Sequence, residues 1–188
     1  MTDNIDQLKK EIAEIIKESP ASSDTRHAEL TLKWLVILKP DADIAMQIAA
    51  LSHDIDRGVN KITDSHLKNL NDYDKVRREH SLRSVEIMAD LLKKYHIDKN
   101  LAENILHLVE FHEIGGDEYS DILKDADSLA FFEFNIPGYL KRNNKEKTLV
   151  KMKYMFDRIS SSRAKDIIKD MNYDNTEIKE LVKKSIKQ

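Results

Sequence analysis

The sequence predicts an all-α protein, on three observations. Only four glycines and three prolines interrupt its 188 residues. Residues that favour helices, chiefly Leu, Ile, Lys, Glu and Ala, dominate the composition. Apolar residues recur at spacings of three and four, and the alternation typical of strands does not appear. This length predicts one helical domain over residues 1–188, with room for a substantial core.

The boundaries of the elements follow from caps and breakers. A first amphipathic helix ends at SPASSD, and Asp24 or Thr25 caps a second helix that stops before Pro40. The third, in ADIAMQIAALSHD, is apolar nearly all round and should be central. A polar loop is expected at about 56–71, and a fourth helix at about 74–95. Asp98 caps a fifth helix at 100–112, which is followed by Gly115 and Gly116. A sixth helix is expected at 119–134 before a break at Pro137, then a long one at 144–170 and a short one from Thr176.

Charge and cysteine content exclude several classes of protein. The 31 basic and 34 acidic residues leave a net charge of -3, which gives no overall field for nucleic acid or an anionic membrane. The absence of cysteine excludes disulfides, thiolate metal sites and cysteine nucleophiles. The N-terminal stretch is charged and amphipathic, unlike a signal peptide, and no stretch approaches the ~18 apolar residues of a membrane span. A cytoplasmic protein without nucleic-acid or membrane partners is therefore expected.

Five helices each bring an ionisable residue onto an otherwise apolar stripe. These residues are His27, His53 with the adjacent Asp54, His80, His112 and Asp127. Burying such groups without partners costs several kcal/mol each, and a metal offers one explanation for all of them. Imidazole and carboxylate without thiolate suit Fe, Mn, Zn, Co or Ni. Six ligands exceed a tetrahedral site, so the set can serve two ions, with Asp54 bridging them.

Each residue taken singly has an ordinary alternative. A lone inward-facing histidine is more often a hydrogen-bonded core residue than a ligand. Asp127 alone can pair with Lys124 or with an arginine. The metal prediction therefore depends on the joint pattern. The other three histidines are predicted to lie outside the site: His66 in a polar loop, His96 at a helix C-terminus and His107 on the flank of its helix.

The ordered set of His27, the pair His53 and Asp54, and Asp127 in KDADSLAFF resembles the HD superfamily of metal-dependent phosphohydrolases. The resemblance spans about residues 24–135. His80 in REHSLRSVEIM and His112 in EFHEIGGDEY are similar to the two extra histidines of its two-metal branches. An HD-type helical bundle is thus implied, with a C-terminal helical extension at about 136–188. The resemblance also implies that His27, His53, Asp54 and Asp127 hold one divalent ion, and that Asp54, His80 and His112 hold the other.

The function implied by the resemblance is hydrolysis of a phosphoester or phosphoanhydride in a small, nucleotide-like substrate. Asp54 and Arg57 are the candidate catalytic residues, with a hydroxide that bridges the two ions as nucleophile. Arg57 occupies the position where two-metal members commonly have a lysine that contacts substrate anions, and its guanidinium can hold a phosphate through two hydrogen bonds. Lys61, Arg83 and Lys124 are further substrate-binding candidates, with a solvated surface charge as the alternative for each.

Other interpretations remain open at this point. A di-iron oxygenase of the same superfamily uses the same ligands, and a non-catalytic module would bind a nucleotide without turnover. Phe111 replaces the first histidine of the cyclic dinucleotide phosphodiesterase signature, which argues against that activity. The charged helices after about Asn144 can cover the site or form a homodimer contact, although a solvated face is the default. The pair Arg77 and Arg78 predicts the exposed start of a helix.

Overall fold

The structure is a computed structural model that describes residues 2–61 and 73–187, and over these ranges it confirms the all-α prediction. The described residues contain α-helices and one π-helical turn, with no strand among them. The helices are α1 (Thr2–Lys17), α2 (Asp24–Leu38), α3 (Ile44–Ser52), α4 (Ile55–Asn60), α5 (Tyr73–Lys94), α6 (Lys99–Phe111), α7 (Glu118–Ala130), the π turn (Phe131–Asn135), α8 (Ile136–Arg142), α9 (Lys145–Asp157), α10 (Ser162–Asp170) and α11 (Thr176–Ser185).

Two apolar clusters form the core. The first is built by helices from the N-terminal part of the chain and contains Ile48, Met88 and Ile105. The second joins the π turn to the C-terminal helices and contains residues such as Phe132 and Phe156. Helix α2 packs against both α3 and α7, and Trp34 of α2 contacts both clusters. Helices α2 and α7 therefore lie where the two clusters meet, and this places their polar residues in the interior.

The polar loop predicted from Asp56 is wrong over its first residues, because Ile55–Asn60 forms helix α4. This helix packs against α1 at Gly58, where an added Cβ would lie 2.7 Å from the carbonyl carbon of Ile15. Contact between helices thus overrides the poor helix propensity of the sequence DRGVN. Residues 62–71 of the predicted loop, with His66, lie outside the described residues.

Replacing Gly58 with alanine is expected to lower the free energy of unfolding by about 1 to 3 kcal/mol, since α1 must move away from α4. Chemical denaturation followed by circular dichroism measures the change. Gly138→Ala is the matched control, because a Cβ there would meet only the flexible end of Arg142, at 3.3 Å. Equal stability of Gly58→Ala and the natural protein would contradict the close packing.

The C-terminal part differs from the prediction in two places. The helix expected over 144–170 is interrupted, because α9 ends at Asp157 and α10 begins at Ser162. Between them, the buried carboxylate of Asp125 accepts hydrogen bonds from the backbone N–H groups of Ser160 and Ser161, both at 2.8 Å. The predicted break at Pro137 is also wrong, because Pro137 lies in the first turn of α8, where a proline is tolerated.

Other boundaries agree with the sequence. The side chain of Asp98 caps α6, and Asn175 caps the last helix, which begins at Thr176. Gly115 and Gly116 adopt positive φ angles after α6. Within the described ranges, no helix combines the length and apolar character required to cross a bilayer.

Candidate metal centre

The structure brings all six predicted ligands together. His27 comes from α2, His80 from α5 and Asp127 from α7, whereas His112 directly follows α6. His53 is the C-cap of α3 and Asp54 is the N-cap of α4, so the corner between these helices directs two consecutive side chains into the centre. All six residues are at least nine-tenths buried.

One group of ligand atoms surrounds the Nε2 atom of His27. This atom lies 3.0 Å from Asp127 Oδ1 and 3.3 Å from His53 Nε2. His53 Nε2 lies 3.8 Å from Asp54 Oδ2 and 3.9 Å from Asp127 Oδ1. Ligand atoms about 2.0 to 2.2 Å from a shared ion lie roughly 3 to 4 Å from one another. The spacing therefore fits one metal ion.

A second group adjoins the first through Asp54. His80 Nε2 lies 2.8 Å from Asp54 Oδ1, and ligand atoms of Asp54, His80 and His112 all lie within 4.8 Å of one another. Asp54 thus directs Oδ1 toward the second group and Oδ2 toward the first. One carboxylate that serves two groups in this way is the arrangement expected of a bridging ligand.

Each of the four histidines is fixed in the orientation required of a metal ligand. Its Nδ1 atom faces an oxygen: Asn135 Oδ1 at 3.0 Å for His27, Ala50 O at 3.0 Å for His53, Asp56 Oδ2 at 2.9 Å for His80 and Val109 O at 2.7 Å for His112. Because these oxygens accept hydrogen bonds, each Nδ1 donates its proton, and each Nε2 faces the centre. Metal-binding histidines typically have this second contact.

The Nε2 atoms of His27 and His53 face each other at 3.3 Å. Because both rings donate from Nδ1, so close a contact requires a proton or a metal cation at the two Nε2 atoms. The Nε2 atom of His112 also lacks a partner: it is fully buried and has no hydrogen bond among the described residues. Burial lowers the pKa of His112 to about 4, so its ring is neutral. An unpaired buried nitrogen costs about 1 to 3 kcal/mol, and metal coordination would remove that cost.

The carboxylates make the centre attractive to cations. Although burial by itself would lower the pKa of His80, hydrogen bonds to Asp54 and Asp56 raise it to about 9. For His27, burial is the largest single influence and lowers the pKa, but the hydrogen bond to Asp127 and the negative charges of Asp127 and Asp54 together outweigh it and raise the pKa. In the metal-free protein, His80 and His27 therefore tend to bind protons at the centre, where each would otherwise coordinate a metal ion.

Metal affinity is expected to rise as the pH is raised from 6 to 9. With the pKa of His80 at about 9, this residue binds a proton below that pH, and the metal must displace it. Calorimetric titration in buffers of different ionisation enthalpy measures the protons released. The count should be largest near pH 7 and fall toward zero above pH 9. Binding that is independent of pH would contradict these ligand assignments.

The three further substrate-binding candidates lie away from the cavity described below. Arg83 donates hydrogen bonds from Nε to both carboxylate oxygens of Asp56, at 3.1 and 3.0 Å. Lys124 binds Asp121 at 2.6 Å, and Lys61 donates to the backbone oxygen of Glu18. Arg83 lies three residues after His80 and Lys124 three residues before Asp127, but neighbouring carboxylates hold both cations. Arg83 instead orients the partner of His80.

A buried charge network that was not predicted joins the centre to the C-terminal helices. Arg158 donates to Asp127 Oδ2 and to Glu113 Oε2. Arg77 Nη1 lies 3.7 Å from the same oxygen of Glu113, with its guanidinium 3.5 Å from the ring centre of Tyr154. The predicted exposed position of Arg77 is therefore wrong. Burial would raise the pKa of Glu113, but Arg158 and Arg77 lower it to about 2.

A cavity of about 410 Å³ opens onto the first group of ligands. Its volume lies in the range of small-molecule sites. The C-terminal helices form one wall, so the segment after residue 135 helps to build the site. The lining includes His27, Asp54, Arg57, Glu113, Asp127, Phe131, Asn135, Tyr139, Arg142, Lys151, Met155 and Arg158.

The fold and the centre define an all-α protein with buried His and Asp groups that can hold metal ions. The chain belongs to the family described as "Domain of unknown function (DUF4202)", whose family model matches residues 2–183. A search of curated proteins and a search of solved structures each found no match.

Proposed function

We propose that this protein is a metal-dependent phosphohydrolase of the two-metal branch of the HD superfamily. It uses two divalent ions, drawn from Fe, Mn, Zn, Co and Ni, to hydrolyse a small phosphorylated, nucleotide-like substrate in the cytoplasm. The observation that carries the proposal is the arrangement of four imidazole rings, each held at Nδ1 and directed at the centre through Nε2. Core histidines without a shared ligand have no need for that common orientation.

The charge of the centre supports an anionic substrate. Buried or half-buried charges here comprise five carboxylates and four guanidinium groups, namely Asp24, Asp54, Asp56, Glu113, Asp127, Arg57, Arg77, Arg83 and Arg158. These charges nearly balance, so two divalent ions would make the base of the cavity strongly positive. A positive, partly enclosed cavity favours phosphate over neutral substrates.

The protein's own residues have distinct parts in this reaction. Bound ions supply electrostatic stabilisation of the phosphoryl oxygens and lower the pKa of water toward neutrality. Asp54 aligns the two groups of ligands through its two oxygens. Arg57 lines the cavity, with its Nε 2.9 Å from Asp54 Oδ2 and its Nη1 4.0 Å from Asp24 Oδ1. In the proposed reaction this guanidinium, which lies next to the bridging carboxylate, also binds a substrate oxygen. Arg158 fixes Asp127 from the opposite side.

The first test combines elemental analysis with a search for phosphate release. Protein purified without added metal should contain close to two transition-metal ions per chain and should hydrolyse a member of a nucleotide panel when that metal is restored. Treatment with a chelator should abolish the reaction. Absence of bound metal after incubation with all five ions would overturn the proposal. Metal retention without turnover would favour a nucleotide-binding module, and oxygen uptake by the ferrous protein would favour the di-iron oxygenase.

Arg57→Ala is expected to retain both ions and to raise KM roughly tenfold or more, because a charge-assisted hydrogen bond to phosphate contributes about 1.5 to 3 kcal/mol. Steady-state kinetics together with metal analysis measures both effects. Arg26→Ala, which removes an exposed arginine from α2, is the control. An unchanged KM in Arg57→Ala would exclude its contact with phosphate.

A further inference from the structure

The outer wall of the cavity carries two cationic groups from the C-terminal helices. Arg142 ends α8, and its Nη1 atom lies so near Gly138 that a Cβ there would be 3.3 Å away. Lys151 of α9 places Nζ 5.8 Å from the ring centre of Phe131. Gly138 and Phe131 line the cavity as well. Both cationic groups therefore lie against the cavity wall.

Arg142 differs from the arginines at the base of the cavity. Arg57 faces Asp54 and Arg158 faces Asp127, so carboxylates offset the charge of both inner guanidinium groups. No carboxylate of residues 2–61 or 73–187 forms an ion pair with Arg142, which is solvent-exposed. Its guanidinium can thus bind an anion without first breaking an ion pair. Lys151 adds a second positive charge at the same wall.

An apolar section of the lining accompanies the two cations. Phe131 and Met155 are buried cavity residues, and the ring of Tyr139 lies 6.2 Å from that of Phe131 in an edge-to-face arrangement. Such surfaces suit the organic part of a ligand, such as a base or a sugar. The cavity thus combines a metal centre, an apolar section and a second cationic section.

We propose that the substrate carries two separated phosphate groups, one bound at the metal centre and the other by Arg142 and Lys151. This inference rests on the proposed function and narrows its substrate class to bisphosphorylated small molecules. Arginine binds phosphate through paired, charge-assisted hydrogen bonds, and lysine adds a point charge. The second phosphate contributes affinity and orientation and does not react.

The test compares ligands that differ only in the second phosphate. Calorimetry would measure binding of slowly hydrolysed phosphorothioate analogues of adenosine 3′,5′-bisphosphate and of AMP to the metal-loaded protein. The natural protein should bind the bisphosphate at least tenfold more tightly, a difference that one arginine–phosphate contact supplies. The variant Arg142→Gln/Lys151→Gln should lose this preference and retain its AMP affinity and its metal content.

The matched control is Lys141→Gln/Lys153→Gln, which removes the same charge from exposed positions of α8 and α9. It should keep the preference for the bisphosphate. Equal binding of the two ligands by the natural protein, or an undiminished preference in Arg142→Gln/Lys151→Gln, would overturn the inference. Either result leaves the proposed function intact if the metal-loaded protein still releases phosphate. A preference for the bisphosphate, without phosphate release from any substrate, would instead overturn the proposed hydrolase function.

Discussion

Asp54→Asn is expected to lose both metal ions and to reduce phosphate release by on the order of a thousandfold or more. One carboxylate oxygen faces His80, and the other faces His53. An amide supplies one uncharged oxygen in place of two charged ones, so it cannot complete both groups of ligands. Elemental analysis after gel filtration gives the occupancy, and the phosphate assay gives the rate.

Two further variants make the result specific. His112→Asn should lose only the second ion, since His112 belongs to the group that contains Asp54 and His80. Asp157→Asn removes an exposed carboxylate from the end of α9 and should change neither occupancy nor rate. Full occupancy in Asp54→Asn would refute the bridging role, whatever its effect on the rate.

Arg158→Met is expected to cost the metal-free protein about 3 to 5 kcal/mol in free energy of unfolding. The change leaves Asp127 and Glu113 as buried carboxylates without the cation that both contact. Burial alone would raise the pKa of Asp127, and the charge of Arg158 is the main influence that holds it well below its usual value. Urea unfolding in the presence of a chelator measures the loss.

Metal should partly compensate for the missing guanidinium. An ion bound by Asp127 supplies positive charge on the other side of that carboxylate, so the destabilisation should be smaller in the metal-loaded protein. Arg163→Met, at an exposed position of α10, is the control and should change stability by less than about 0.5 kcal/mol. A loss in Arg158→Met no larger than that of the control would show that the network contributes no stability.

The helical fold and the inward orientation of the ligands could be predicted because a helix of period 3.6 fixes which residues share a face. His27, His80 and Asp127 each follow from the stripe on which they lie. The Nδ1 partners could not be predicted in the same way. Ala50 and Val109 contribute backbone oxygens, and a sequence does not show which carbonyl an imidazole will face.

Residues that act across long distances in the chain were missed for a different reason. The sequence predicts one charged helix that includes Arg158. The interruption after Asp157 could not be predicted, because it depends on Asp125, which lies far away in the sequence. Asn135 reaches His27 from the π turn, and such turns are rare and often associated with functional sites. Asp56 and Glu113 could have been predicted as neighbours of the metal centre, because each lies within two residues of a predicted ligand.

The position of Arg158 late in the chain has a consequence for biosynthesis. A nascent polypeptide that has emerged only through α7 already contains His27, Asp127 and every other ligand, but not the arginine that offsets Asp127 and Glu113. Until Arg158 has emerged, Glu113 has Arg77 and Asp127 has His27 as partner, and the remaining repulsion between the two acids opposes closure of the core. Capture of a cation at this stage would relieve the repulsion, so metal starvation during translation should lower the yield of folded protein more than chelation after folding does.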